Sequence, residues 1–282
     1  MNRNPYSRPV RELFRKLALL NGTLQHFDIH LHQAANAIKR DLQAGRGDVW
    51  AAGAALVIRD LTEWPSDRWA RYYSAAAHAR RGRQFLTVLR RLGQVSSGWA
   101  ASQGFEEFER TLKQQVARYF KRHPAAFGTG IWRPSKRGTF TVGPRMSVEE
   151  IEQTVRSAFR GVDDLLPRLR NSIDAVRQAE VKNNRAMDLV GWLKVASKVR
   201  DAHVHAAGLI SDDQLRRLST SECRLLVASF PGQTTRVGYE LQMTAKAAGE
   251  VLERYAEYGN LVAKAMSQAD SLPWQMPRGG RV

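Results

Sequence analysis

Residues 218–262 constrain the fold more than any other stretch, because helix starts, helix stops and apolar positions follow one another there at short intervals. Ser219 with Glu222 three residues later has the form of a capping box, in which two free backbone N–H groups are satisfied reciprocally. It predicts a helix carrying Leu225, Leu226 and Phe230, stopped at Pro231-Gly232. Gly238 offers a position without a side chain, suited to a close helix crossing, and Val237, Leu241, Met243, Ala248, Val251 and Leu252 offer an apolar face. Thr244 can cap a further helix through its hydroxyl. Tyr258-Gly259-Asn260 can end it, since Gly and Asn tolerate the left-handed cap position. Leu261, Val262 and Ala263 would then open a strand.

This order resembles the winged helix-turn-helix domains of bacterial transcription regulators. The resemblance is carried by Gly238, by Leu241 three positions later, by the hydroxyl cap at Thr244, and by Gly259-Asn260-Leu261 after the recognition helix. It implies a double-stranded DNA partner, with Thr234, Arg236, Thr244 and Lys246 approaching the groove. The recognition helix it implies carries Lys246 and Arg254 against Glu250, Glu253 and Glu257. Phosphate contacts need cations, so only its first turn and Arg236 suit DNA. A winged helix that docks a protein is the alternative.

The charge lies elsewhere. The chain has 282 residues and a formal net charge of +17. Residues 1–148 hold 25 Lys and Arg against 10 Asp and Glu, and residues 149–282 hold 19 against 17. A concentrated positive field points to nucleic acid or to an acidic protein surface. No acidic residue occurs between Glu109 and Glu149. In that gap Ile131-Trp132 and Thr139–Val142 are composed like two strands of a hairpin across Pro134–Gly138. On such a hairpin Arg133, Lys136 and Arg137 would track a nucleic-acid backbone and Trp132 would stack on a base.

The remainder reads as helices with a 3.6-residue apolar period. One carries Val10, Leu13, Phe14, Leu17 and Leu20 and ends at Asn21-Gly22. The next carries Leu24, Phe27, Leu31, Ile38 and Leu42. Asp48 heads a third through Trp50, Val57, Ile58 and Leu61, and Ser66-Asp67 a fourth through Trp69, Tyr72 and Tyr73 as far as Leu92. A loop over Gly93–Gly98 and a helix over 104–122 follow. A second capping box, Ser147 with Glu150, starts a helix over Ile151, Val155 and Phe159. Asp163 then heads a long run through Leu166, Leu169, Ile173 and Val176. That run weakens over Glu180–Arg185 and resumes to Val199, a length suited to a homodimer interface.

Asp28-Ile29-His30-Leu31-His32 and Asp201-Ala202-His203-Val204-His205 share a form that binds metal when it lies on a strand, where alternate side chains point one way. The first is similar to the histidine cluster of plasmid-mobilising relaxases, with His26 as a third member. In helical surroundings residues two apart diverge by about 200°, so these histidines predict no metal site. No P-loop, Gly-x-Ser-x-Gly or dinucleotide fingerprint occurs. The single cysteine, Cys223, excludes an internal disulfide and fits a reducing compartment. No apolar run reaches membrane-spanning length, and the N-terminal apolar run is too short for a signal peptide.

The sequence therefore predicts a mainly α protein. A basic helical domain (1–127) joins a basic hairpin-like insertion (128–147), long connecting helices (148–208), a winged helix-turn-helix (209–265) and an irregular tail (266–282). The expected function is DNA-binding regulation in the cytoplasm, with no catalytic residues, cofactor, metal or membrane. The alternatives are a regulator docking an acidic protein partner and, third, a metal-dependent nucleic-acid enzyme.

Overall fold

A computed structural model describes residues 4–46, 55–58, 71–74 and 82–277. The protein is mainly α-helical, with a small antiparallel sheet near the C-terminus. The elements are α1 (Ser7–Gln43), β1 (Ala55–Ile58), β2 (Arg71–Ser74), α2 (Gly82–Arg122), α3 (Val148–Ala158), α4 (Val162–Ser172), α5 (Asp174–Val181) and α6 (Leu189–His205). After these come β3 (Leu209–Ser211), α7 (Asp212–Leu215), α8 (Thr220–Ser229), β4 (Gly232–Thr235), β5 (Gly238–Leu241) and α9 (Ala245–Ala269). The chain groups into two compact units, one of residues 1–24 and 95–282, the other of residues 25–94.

The smaller unit holds the later part of α1, the earlier part of α2, and β1 paired with β2 in register Ala55↔Ser74 to Ile58↔Arg71. The two helices expected over 48–64 and 66–92 are therefore not formed as expected. Val57, Ile58, Tyr72 and Tyr73 lie on strands, while Asp48, Trp50, Leu61, Ser66 and Trp69 fall outside the described residues. β-branched and aromatic side chains suit a paired strand as well as a helix face over so short a run.

α1 is one helix, not two. A methyl added at Gly22 would meet nothing within 4 Å, so no close approach requires a glycine or a break there. A helical glycine costs about 1 kcal/mol relative to alanine, and the buried Leu13, Leu17 and Leu24 on either side outweigh it. The expected loop at Gly93–Gly98 is likewise helical, inside α2.

In the larger unit α9 is the central element, with fourteen of its residues buried. It passes without interruption through Tyr258-Gly259-Asn260, the expected helix end. Gly259 is instead a crossing point: a methyl there would lie 2.6 Å from Leu13 Cδ2 of α1. Gly104 of α2 does the same for Leu252, at 2.3 Å. Phe108 stacks on Tyr258 with ring centroids 5.6 Å apart, and Phe105 meets Tyr255 edge-on at 6.0 Å. Inside this contact the Tyr258 hydroxyl donates to Glu180 Oε1 of α5 at 2.6 Å, and Arg170 Nε of α4 donates to Glu180 Oε2 at 2.5 Å. Glu180, only 6% exposed, is thus paired and hydrogen-bonded, the condition under which a charge can be buried.

The long connecting helix is three shorter ones. Extended backbone at Ile173 separates α4 from α5. Asn183 folds the turn between α5 and α6, its Nδ2 donating to the Glu180 and Met187 carbonyls and its Oδ1 accepting from the Arg185 and Met187 N–H groups. The capping box Ser147–Glu150 is formed as expected. Beyond α9 the chain returns to the start of α1. Asp270 accepts from the Tyr6 hydroxyl at 2.7 Å, from Arg122 Nε at 2.6 Å and from His123 Nε2 at 2.9 Å.

Gly98 of α2 opens a slot for the His203 imidazole of α6, where a methyl would lie 2.2 Å from the ring. His203 Nε2 is buried there without a hydrogen-bond partner among the described residues. Burial pulls the His203 pKa down from 6.5 to about 4. The unfolded chain therefore takes up this proton at higher pH than the fold does. The contribution is complete above pH 6.5 and is lost as the pH falls towards 4, by up to about 3 kcal/mol. The urea midpoint should decline on acidification through this window, and His203→Gln should flatten the decline; an unchanged pH profile in the variant would refute the assignment.

Candidate nucleic-acid interface

α6, β3, α7, α8 and the β4–β5 hairpin form a continuous segment inside the larger unit. Three side-chain caps place its helices. Asp188 accepts from the Gly191 N–H at the start of α6, Ser211 forms a capping box with Gln214 at α7, and Ser219 forms one with Glu222 at α8. Leu226 and Phe230 turn inward from α8, and Phe230 stacks on Trp192 of α6 with centroids 6.2 Å apart.

The hairpin then returns along β3. The sheet order is β3-β5-β4, with Tyr239 opposite both Ile210 and Thr234. Gly238 has φ +143°, and a methyl on it would lie 2.1 Å from the Ile210 carbonyl oxygen. Its lack of a side chain serves a strand crossing, not the helix crossing expected from the sequence. Val237, Tyr239 and Leu241 alternate with Gly238 and Glu240, the period of a strand. Tyr239 donates its hydroxyl to the Phe230 carbonyl at 3.0 Å, which ties the hairpin to the end of α8. Thr235 Oγ1 accepts from the Val237 N–H and donates to the Gly238 carbonyl, so Arg236 and Val237 form an exposed two-residue tip.

Of the expected groove residues, Thr234 and Arg236 are exposed on this hairpin. Thr244 and Lys246 are exposed too, but they follow the base of β5, at the end away from Arg236. Thr244 does cap a helix, accepting from the Ala247 N–H at 3.2 Å. That helix is α9, whose exposed stripe of Lys246, Glu250, Glu253, Glu257, Lys264 and Gln268 carries three carboxylates against two lysines and so suits phosphate poorly. No strand opens after Leu261, because α9 continues to Ala269.

The second expected nucleic-acid surface is also corrected. Residues 128–146 contain no strand. Trp132 is 3% exposed, enclosed by Phe120 at 4.9 Å, Tyr119 at 5.8 Å and Phe159 at 6.1 Å, and so cannot stack on a base. Apolar burial of a large ring outweighs what an exposed one gains by stacking. Arg133, Lys136 and Arg137 are exposed around it. Lys136 Nζ donates to the Arg156 carbonyl at 3.1 Å, and Arg168 holds the carbonyls of Ile131 and Arg133.

What the sequence reading missed is the outer face of α8. Thr220, Ser221, Arg224, Val227 and Ala228 are exposed, flanked by exposed Arg216 and Arg217 before the helix and by Arg236 after it. None of these four arginines forms an ion pair with a described residue. Glu222 is tucked back, its side chain 13% exposed. The Ser219 N–H that donates to it keeps its carboxyl below the ordinary range. The signal was present: a helix starting at the Ser219 cap, with Leu226 and Phe230 inward, turns Ser221, Arg224 and Ala228 outward.

Among the described histidines no three come together. His26 and His30 approach through their Nε2 atoms at 3.1 Å on α1, and His32 turns to the Asp28 carbonyl. Among the described residues no group of three or more His, Cys, Asp or Glu is placed to hold a metal ion. Also among them, no helix is long and apolar enough to cross a membrane.

Gly238→Val would force a β-branched residue into positive φ and onto the Ile210 carbonyl. It should cost about 2 kcal/mol or more by urea denaturation. Gly143→Ala, whose methyl meets nothing within 4 Å, should change stability by less than about 0.5 kcal/mol. Equal effects would refute the crossing. No protein family, curated protein or solved structure matches the chain.

Proposed function

We propose that residues 189–241 act as a DNA-binding module of the winged-helix kind and that the protein is a DNA-binding regulator. On this reading α8 enters the major groove and the β4–β5 hairpin lies against the backbone beside it. The observation that carries the reading is the exposed polar face of α8. It is framed by Arg216 and Arg217 at one end and reaches the hairpin with Arg236 at the other. A capped helix that packs inward on α6 and leaves its outer residues free is a form in which a helix can read base edges. Ser221 and Arg224 are side-chain types that make such contacts, while Arg216, Arg217 and Arg236 suit phosphates. The groove helix is thus α8, one helix earlier than the sequence implied. The excess of positive charge in residues 1–148 adds a sequence-independent attraction.

Fluorescence anisotropy with duplexes selected from a random pool tests this. Arg236→Glu should weaken binding to all duplexes alike and reduce the salt slope by about 1–2. Arg224→Glu should also relax sequence preference. Unchanged affinity in both variants would refute the reading.

Val227 and Val237, 64% and 61% exposed, favour a second reading in which the same face docks a protein. Absence of duplex binding at low salt, with retention of an acidic partner that Val227→Asp abolishes, would select it.

A further inference from the structure

A cleft of about 290 Å³ opens between α4, α6 and the turn leading into α8. Its apolar wall includes Val162, Leu166, Leu193 and Leu218, and its lining also includes three cations, Lys194, Lys198 and Arg217. Lys194 shares its charge with Glu222, at 3.4 Å. Neither Lys198 nor Arg217 has a carboxylate of a described residue within ion-pair distance. Asp163 is the one other acid of the lining.

We propose that this cleft binds a small organic acid, its carboxylate on Lys198 and Arg217 and its ring or short chain against the Val162–Leu166–Leu218 wall. The two halves of the lining select this class together. An inorganic anion would leave the apolar wall in water. A neutral apolar molecule would cover half-buried Lys198 and leave it and Arg217 without a counter-charge. An acid with a compact apolar body satisfies both, and a carboxylate on Arg gains charge-assisted hydrogen bonds. The volume is at the small end of ligand pockets, which begin at about 300 Å³.

The cleft also touches the element that the proposed function uses. Leu218 and Glu222 flank and complete the Ser219 cap of α8. A carboxylate on Lys198 and Arg217 adds negative charge beside Glu222 and the first turn of α8, changing how that helix is presented. This coupling rests on the DNA-binding reading, whereas the site itself does not.

Calorimetry on the full chain tests the site with phenylbutyrate, phenylbutyramide and inorganic phosphate as probes. The acid should bind about ten-fold more tightly than the amide, and phosphate should give no saturable heat. Lys198→Glu and Arg217→Glu should each weaken the acid by about ten-fold or more with an unchanged circular dichroism spectrum. If Lys198→Glu does not fold, Lys198→Met is read in its place. Equal binding of acid and amide, no heat with the acid, or full affinity in the folded variants overturns the proposal. Duplex binding is then measured with and without phenylbutyrate. Acid binding without any duplex binding keeps the site and removes the DNA reading. Duplex binding that the acid leaves unchanged removes the coupling alone.

Discussion

The close packing of α9 on its neighbours is the constraint from which the larger unit follows. A helix buried on most sides must be met by other helices on most sides, and α1, α2 and α5 meet it at residues chosen for contact distance. Gly259 admits Leu13, Gly104 admits Leu252, and Phe105 and Phe108 face Tyr255 and Tyr258. A strongly polar contact inside this packing, Tyr258 to Glu180 to Arg170, fixes α4 and α5 against α9 by a directional bond rather than by area. Hydrophobic burial alone would leave the helices free to slide; a buried, satisfied carboxylate fixes one register.

Held by that frame, the segment from α6 to β5 leaves one face free. α8 turns Leu226 and Phe230 inward and its polar side out, and the hairpin is held to it through Tyr239. The four exposed arginines near α8 lie in a stretch whose overall charge is close to balanced, with Asp212 and Asp213 of α7 exposed before them. Glu222 closes its cap, and Glu240 accepts from Gln233 across the hairpin. In the 110–145 region Arg118, Lys121 and Lys136 keep their charge while donating to backbone carbonyls, which fixes where those charges sit.

Much of the local structure was legible. The mainly α class, the capping boxes at Ser147 and Ser219 and the cap at Thr244 all follow from side chains acting on backbone groups a few residues away. Gly238, Gly259 and Trp132 were singled out correctly but given the wrong use. Each is a residue whose role is set by what approaches it: the Ile210 carbonyl, Leu13 and the Phe120–Phe159 cluster. None of those partners lies within reach along the chain.

By itself, then, the sequence determined where the helices capped by Ser147, Ser219 and Thr244 begin, which faces are apolar, and that the chain carries a strong excess of basic charge. Those are short-range properties, decided by caps, period and composition. Tertiary structure decided which helices stay single, as α1 does across Gly22, and that residues 232–241 pair as strands. It also decided what the two helices flanking the hairpin turn outward: Arg224 with small polar residues on α8, and three glutamates against two lysines on α9. These outcomes turn on contacts distant in sequence, where the burial of Leu13, Tyr239 or Tyr258 outweighs local preferences of about 1 kcal/mol.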